Sequence, residues 1–78
     1  MGTERESITK EVGSRIRYAR KSRGMSMDEL AQAIYKTRSA ISKYENGQIS
    51  VDIATLYDIA NALKISIYDL LHRNTPDI

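Results

Sequence analysis

The chain has 78 residues, no cysteine, and 12 Lys and Arg against 10 Asp and Glu, for a formal net charge of +2. That length holds one domain, near the lower limit for a core without staples, and the missing thiols exclude disulfides and thiolate metal sites. Charge is spread unevenly: residues 1–24 carry net +4, residues 25–50 balance, and residues 51–78 carry net −2, so a polyanion is expected to meet the first half.

Helical periodicity dominates, and the expected class is all-α. A first helix is predicted from about Ser7 to Arg23, with Ile8, Val12, Ile16 and Ala19 facing inward and Gly24 as its stop. Arg20, Lys21 and Arg23 suit the negative end of its dipole. Ser26-Met27-Asp28-Glu29 reads as a capping box. The second helix it opens carries Met27, Leu30, Ala31 and Ile34 on one face. Thr37 is the expected N-cap of a third helix, Arg38 to Asn46, with Ile41 and Tyr44 inward and Gly47 as its stop. Asp52 caps a fourth, with Ile53, Leu56, Ile59, Ala60 and Leu63 inward. Ser66 with Asp69 caps a short fifth that buries Leu70 and Leu71. The second and third helices are joined only by Tyr35 to Thr37, so they must cross steeply, as in a helix-turn-helix. From spacing alone, an ordinary helical bundle stays open beside that reading.

The run GMSMDELAQAIYKTRSAISKYENGQ followed by TLYDIANALKIS resembles the phage repressor and Cro-type helix-turn-helix family. The resemblance covers about residues 12–72. It rests on Gly24, Ser26, Glu29-Leu30-Ala31, Ile41-Ser42 and Tyr44-Glu45-Asn46-Gly47. Leu56, Ile59-Ala60, Ala62-Leu63 and Leu70-Leu71 also fit. It implies a compact five-helix domain of the phage-repressor DNA-binding type at residues 8–72, between a polar arm (1–7) and a short tail (73–78). Ala31 would be small because two helices cross there. Arg20 and Glu45 match a family pair that forms a largely buried ion pair between the first and third helices. The third helix is then the reading helix, with Arg38, Ser39, Ser42 and Lys43 towards base edges. Phosphates would be met by Ser26, Met27, Lys36, Thr37, Asn46 and Gln48, in part through outward amides at the start of the second helix and near Asn46 to Gln48.

Two departures stand out. Met27 occupies a position where many relatives carry Gln. Tyr35 stands where relatives often carry Gly. A left-handed Tyr is costly, so a longer second helix or another form of turn is expected, with Lys36 turned towards the DNA backbone.

The implied function is a sequence-specific, double-stranded DNA-binding transcriptional regulator, repressor-like. An antitoxin-type module that binds a partner protein first is the alternative. A short tail, residues 73–78, argues against a segment reserved for a toxin. A homodimer on paired half-sites is expected, using some of Tyr57, Ile65, Ile67 and Tyr68, which exceed what the inward faces need. Nothing points to an enzyme, a cofactor, a metal or a small-molecule ligand, and the lone His72 is expected as a helix-end cation. With no apolar run near the roughly 20 residues of a membrane span and a polar start unlike a signal peptide, a cytoplasmic location is expected.

Overall fold

The computed structural model describes residues 4–71. Five helices follow in order: α1 (Glu4–Ser22), α2 (Met27–Ala33), α3 (Arg38–Glu45), α4 (Ile53–Leu63) and α5 (Ile67–Leu71). No strand occurs among the described residues, and none of their helices is long and apolar enough to cross a membrane. Residues 1–3 of the expected arm, His72 and the tail lie outside the described residues.

Local chemistry starts the helices. The Ser26 hydroxyl accepts from the Glu29 amide at 3.0 Å, and the Glu29 carboxylate accepts from the Ser26 amide at 2.8 Å. The Thr37 hydroxyl accepts from the Ala40 amide, and Asp52 accepts from both the amide and the hydroxyl of Thr55. At α5, Asp69 accepts from the Ser66 amide while the Ser66 hydroxyl accepts from Tyr68.

The first four helices end alike, with paired six-to-one and five-to-two backbone bonds around one left-handed residue. Two of those residues are Gly24 and Gly47, and the other two are Tyr35 (φ 59°) and Lys64 (φ 58°). Neither the expected longer second helix nor another form of turn therefore occurs. Tyr35 takes the left-handed turn itself, and its neighbour Lys36 donates to the Ala31 carbonyl at 2.9 Å.

The core comprises Val12, Ile16, Leu30, Ala31, Ile34, Ile41, Tyr44, Leu56, Ile59, Ala60, Leu63 and Leu70. α1 packs on α3, α4 and α5, while α2 packs on α3 and α4. Three residues expected inward are exposed instead. Ile8 is 56% exposed because α1 starts at Glu4, so residues 4–7 are helical and the first turns extend past the core. Thr9, not Ile8, faces the body there, 3.4 Å from the Ser50 hydroxyl. Ile53 is exposed because Thr55 and Leu56 take the inward positions of the first turn of α4. Leu71 is exposed because neighbouring positions on a helix point about 100° apart, and Leu70 holds the inward one.

Candidate nucleic-acid interface

α3 is fixed from behind by two hydrogen bonds from Arg20 of α1, whose guanidinium is itself held by the turn after α1. Arg20 donates to Glu45 through Nε at 2.6 Å and Nη2 at 3.0 Å, and through Nη1 to the Met25 carbonyl at 2.8 Å. Both side chains are buried, and the hydrogen bond to Glu45 holds the Arg20 guanidinium above its ordinary pKa against the opposing pull of burial. Beside the pair lies Gly13, where a Cβ would sit 2.2 Å from the Tyr44 carbonyl oxygen. Only a glycine lets α1 cross the end of α3 that closely. A helical glycine costs about 0.5–1 kcal/mol against alanine, and that mismatch with local propensity was the available signal for position 13.

The opposite side of α3 is open. Arg38, Ser39, Ser42 and Lys43 line one shallow groove together with Met27 and Gln48. Arg38, Ser39 and Lys43 are exposed, whereas Ser42 is half-buried and its hydroxyl accepts from the Asn46 side-chain Nδ2 at 3.4 Å. Met27 is half-buried against the core, so it presents only part of its side chain to the groove.

The candidate phosphate contacts divide. Thr37 accepts the α3 cap bond, which leaves its own hydroxyl proton to donate. Ser26 is in the same position, its amide engaged by Glu29 and its hydroxyl accepting the cap bond with its proton left to donate, and the first amides of α2 that need a partner are those of Met27 and Asp28. The amides of Asn46, Gly47 and Gln48 do not point outward as expected. They donate to the carbonyls of Ser42, Tyr44 and Lys43: Asn46 continues the helical pattern, and the chain reversal at Gly47 folds the other two back on α3. At that end only the side chains of Asn46 and Gln48 remain outward, both residues being exposed. Lys10 of α1 packs directly over Gly47, where a Cβ would meet its Cγ at 2.6 Å. Lys36 is exposed, and its charge acts on Asp52, the cap of α4.

The four residues expected at a dimer surface lie on α4, on α5 and in the turn between them. Tyr57 and Tyr68 are exposed, while Ile65 and Ile67 pack partly against the core.

A family described as Helix-turn-helix matches residues 16–70. The "Uncharacterized transcriptional regulator in ATPase CF(0) region" of Rhodospirillum rubrum is 38% identical over 56 residues, 72% of this chain and 52% of that protein. The chain thus spans about half the length of the curated relative it matches. Among solved structures, the restriction-modification controller protein C.AhdI of Aeromonas hydrophila is similar with a TM-score of 0.83 and 28% identity, over 87% of this chain and 99% of that one. The clp gene regulator ClgR of Corynebacterium glutamicum gives 0.80 and 28%, over 82% and 83% of the two chains. The P22 c2 repressor protein, solved in complex with a synthetic operator, gives 0.72 and 28%, over 78% and 92%.

Proposed function

The chain belongs to the helix-turn-helix family of transcriptional regulators of the Cro and phage-repressor type, and we propose that it represses transcription by reading a specific duplex site in the major groove with α3. The observation that carries this reading is the two-sided build of α3. Its inner side is locked to α1, and its outer side offers Arg38, Ser39, Ser42 and Lys43 in one groove. Arg38 stands on the first turn, where a guanidinium can pair with O6 and N7 of guanine. Lys43 reaches a second guanine or a phosphate. Ser39 and Ser42 add short donors and acceptors. Met27, Lys36, Thr37, Asn46 and Gln48 hold the backbone on either side, with Ser26 acting through the start of α2 that it caps. The operator complex of the P22 repressor supports the DNA partner.

The functional unit is a homodimer. A single module meets one half-site, and two-fold symmetry places two reading helices about 34 Å apart on one face of the duplex. The exposed Tyr57 and Tyr68, with the partly buried Ile65 and Ile67, are the groups we assign to that interface, tyrosine being suited to a half-wet surface. The DNA-binding domain is residues 8–72, and α1 begins four residues before it.

Selection of duplexes from a random library by the purified chain, followed by footprinting, is the test. Enrichment of a two-fold symmetric sequence with half-sites one helical turn apart is expected. A library that stays random after repeated selection overturns the reading. Ultracentrifugation with and without the selected duplex checks the dimer, and saturation at one chain per site overturns that part.

A further inference from the structure

Among the described residues two other than glycine take a left-handed backbone, Tyr35 and Lys64, and of the two Tyr35 borders the reading helix. Its backbone sits at φ 59°, a region in which a side chain other than glycine meets the carbonyl oxygen and is strained. A buried aromatic could offset that strain by packing, but Tyr35 is 95% exposed. The turn asks only for a left-handed residue, and the chain uses glycine for the same purpose at positions 24 and 47. An exposed lysine is ordinary, but an aromatic left wholly exposed in a strained turn beside α3 points to contact with something outside the chain.

Its position says what. Tyr35 immediately precedes Lys36, Thr37 and Arg38, the segment that leads into the outward side of α3. A phenol at the end of a rigid ring is a common donor to phosphate oxygens. We propose that Tyr35 is a DNA-backbone contact: its hydroxyl donates to a phosphate at the edge of the groove that α3 enters, and so fixes the angle of that helix. The proposal rests on the DNA-binding reading above. The hydroxyl adds no charge, so the contact differs from that of a lysine, whose loss lowers the salt dependence of binding.

The turn after α4 supplies an internal control. Lys64 has the same strained backbone at φ 58° and is exposed, but it belongs to the α4–α5 turn and not to the reading segment. Tyr35→Gly and Lys64→Gly should both raise the melting temperature, each by about 4 °C or more. On a duplex selected by the wild-type chain, Tyr35→Gly should bind about 10-fold more weakly; Lys64→Gly controls the melting shift alone, because its turn also carries Ile65 of the proposed dimer surface. Tyr35→Phe should melt as the wild type does, lose a similar factor in affinity, and keep the wild-type salt slope. Because it preserves ring and backbone, it decides the matter if glycine disturbs the turn. Wild-type affinity in Tyr35→Phe and Tyr35→Gly overturns the proposal. Unchanged affinity with lost control of a promoter also overturns it, and assigns the ring to a protein partner. Arg38→Ala, run alongside, separates the two levels. If it weakens binding and the Tyr35 variants do not, only the Tyr35 contact fails. If none of the three affects binding, the reading by α3 fails with it.

Discussion

On its inner side α3 carries Ile41, Tyr44 and Glu45, all buried, whereas Arg38, Ser39 and Lys43 on its outer side are exposed. The inner residues are fixed before any ligand arrives: Glu45 takes two hydrogen bonds from Arg20, and the Tyr44 carbonyl lies against Gly13. The outer residues contribute little to the fold. Damage on the inner side should therefore appear as lost stability in the free protein, and damage on the outer side as lost binding in a protein that melts normally. A regulator built this way presents a preorganised surface, so binding does not have to order the helix that reads.

The largest expected effect comes from Glu45→Ala. It leaves the Arg20 guanidinium buried with only the Met25 carbonyl, and should destabilise the free chain by about 3–5 kcal/mol in urea titration. A wild-type midpoint would show that the inner side does not depend on this pair. Next is Gly13→Ala. Helix propensity alone favours alanine, but the 2.2 Å approach to a backbone oxygen cannot be relieved by a side-chain rotation. A net loss of about 1–3 kcal/mol is expected in the same titration, and a gain would refute the close crossing.

Arg38→Ala reverses the pattern. Affinity for a selected duplex should fall by about 1–3 kcal/mol, with relaxed preference at one base pair and an unchanged melting temperature. Equal loss on specific and random duplexes would demote Arg38 to a phosphate contact.

The smallest effect is a pH dependence at the cap of α4. Hydrogen bonds from the Thr55 hydroxyl and amide, helped by the charge of Lys36, hold the Asp52 carboxylate below its ordinary pKa. A lowered folded pKa means that the stabilisation is complete above the unfolded value, roughly pH 4, and is lost as pH falls through the lower folded value. Asp52→Asn keeps a capping side chain but removes the titration. Thermal melts across that window should show a flatter acid limb, and identical limbs would remove Asp52 from the account.

How much was legible in the sequence follows from the range of the forces involved. Caps and stops act within four residues, so Ser26 with Glu29, Thr37, Asp52 and the glycines at 24 and 47 mark helix ends in the sequence itself. The resemblance to a known family, carried by residues such as Ala31, Ile41 and Asn46-Gly47, pointed to the pairing of α2 with α3. What could not be read were the contacts made by residues far apart in the chain. Ile8, Ile53 and Leu71 obey the helical period, yet each falls where no neighbouring element covers it. The amides from Asn46 to Gln48 were expected to face a ligand, but the end of α3 and the chain reversal engage them internally. Tyr35 opposes local preference, and only the crossing of α2 and α3 forces the turn that it occupies. Gly13 is the clearest case. Its sequence neighbourhood is an ordinary helix that would be better served by alanine, and its reason lies 31 positions away in the carbonyl of Tyr44. Periodicity and capping are set by nearest neighbours along the chain, so sequence determines them. Which face is covered, and how closely two helices approach, is set by steric exclusion between elements, and that exists only once the chain has folded.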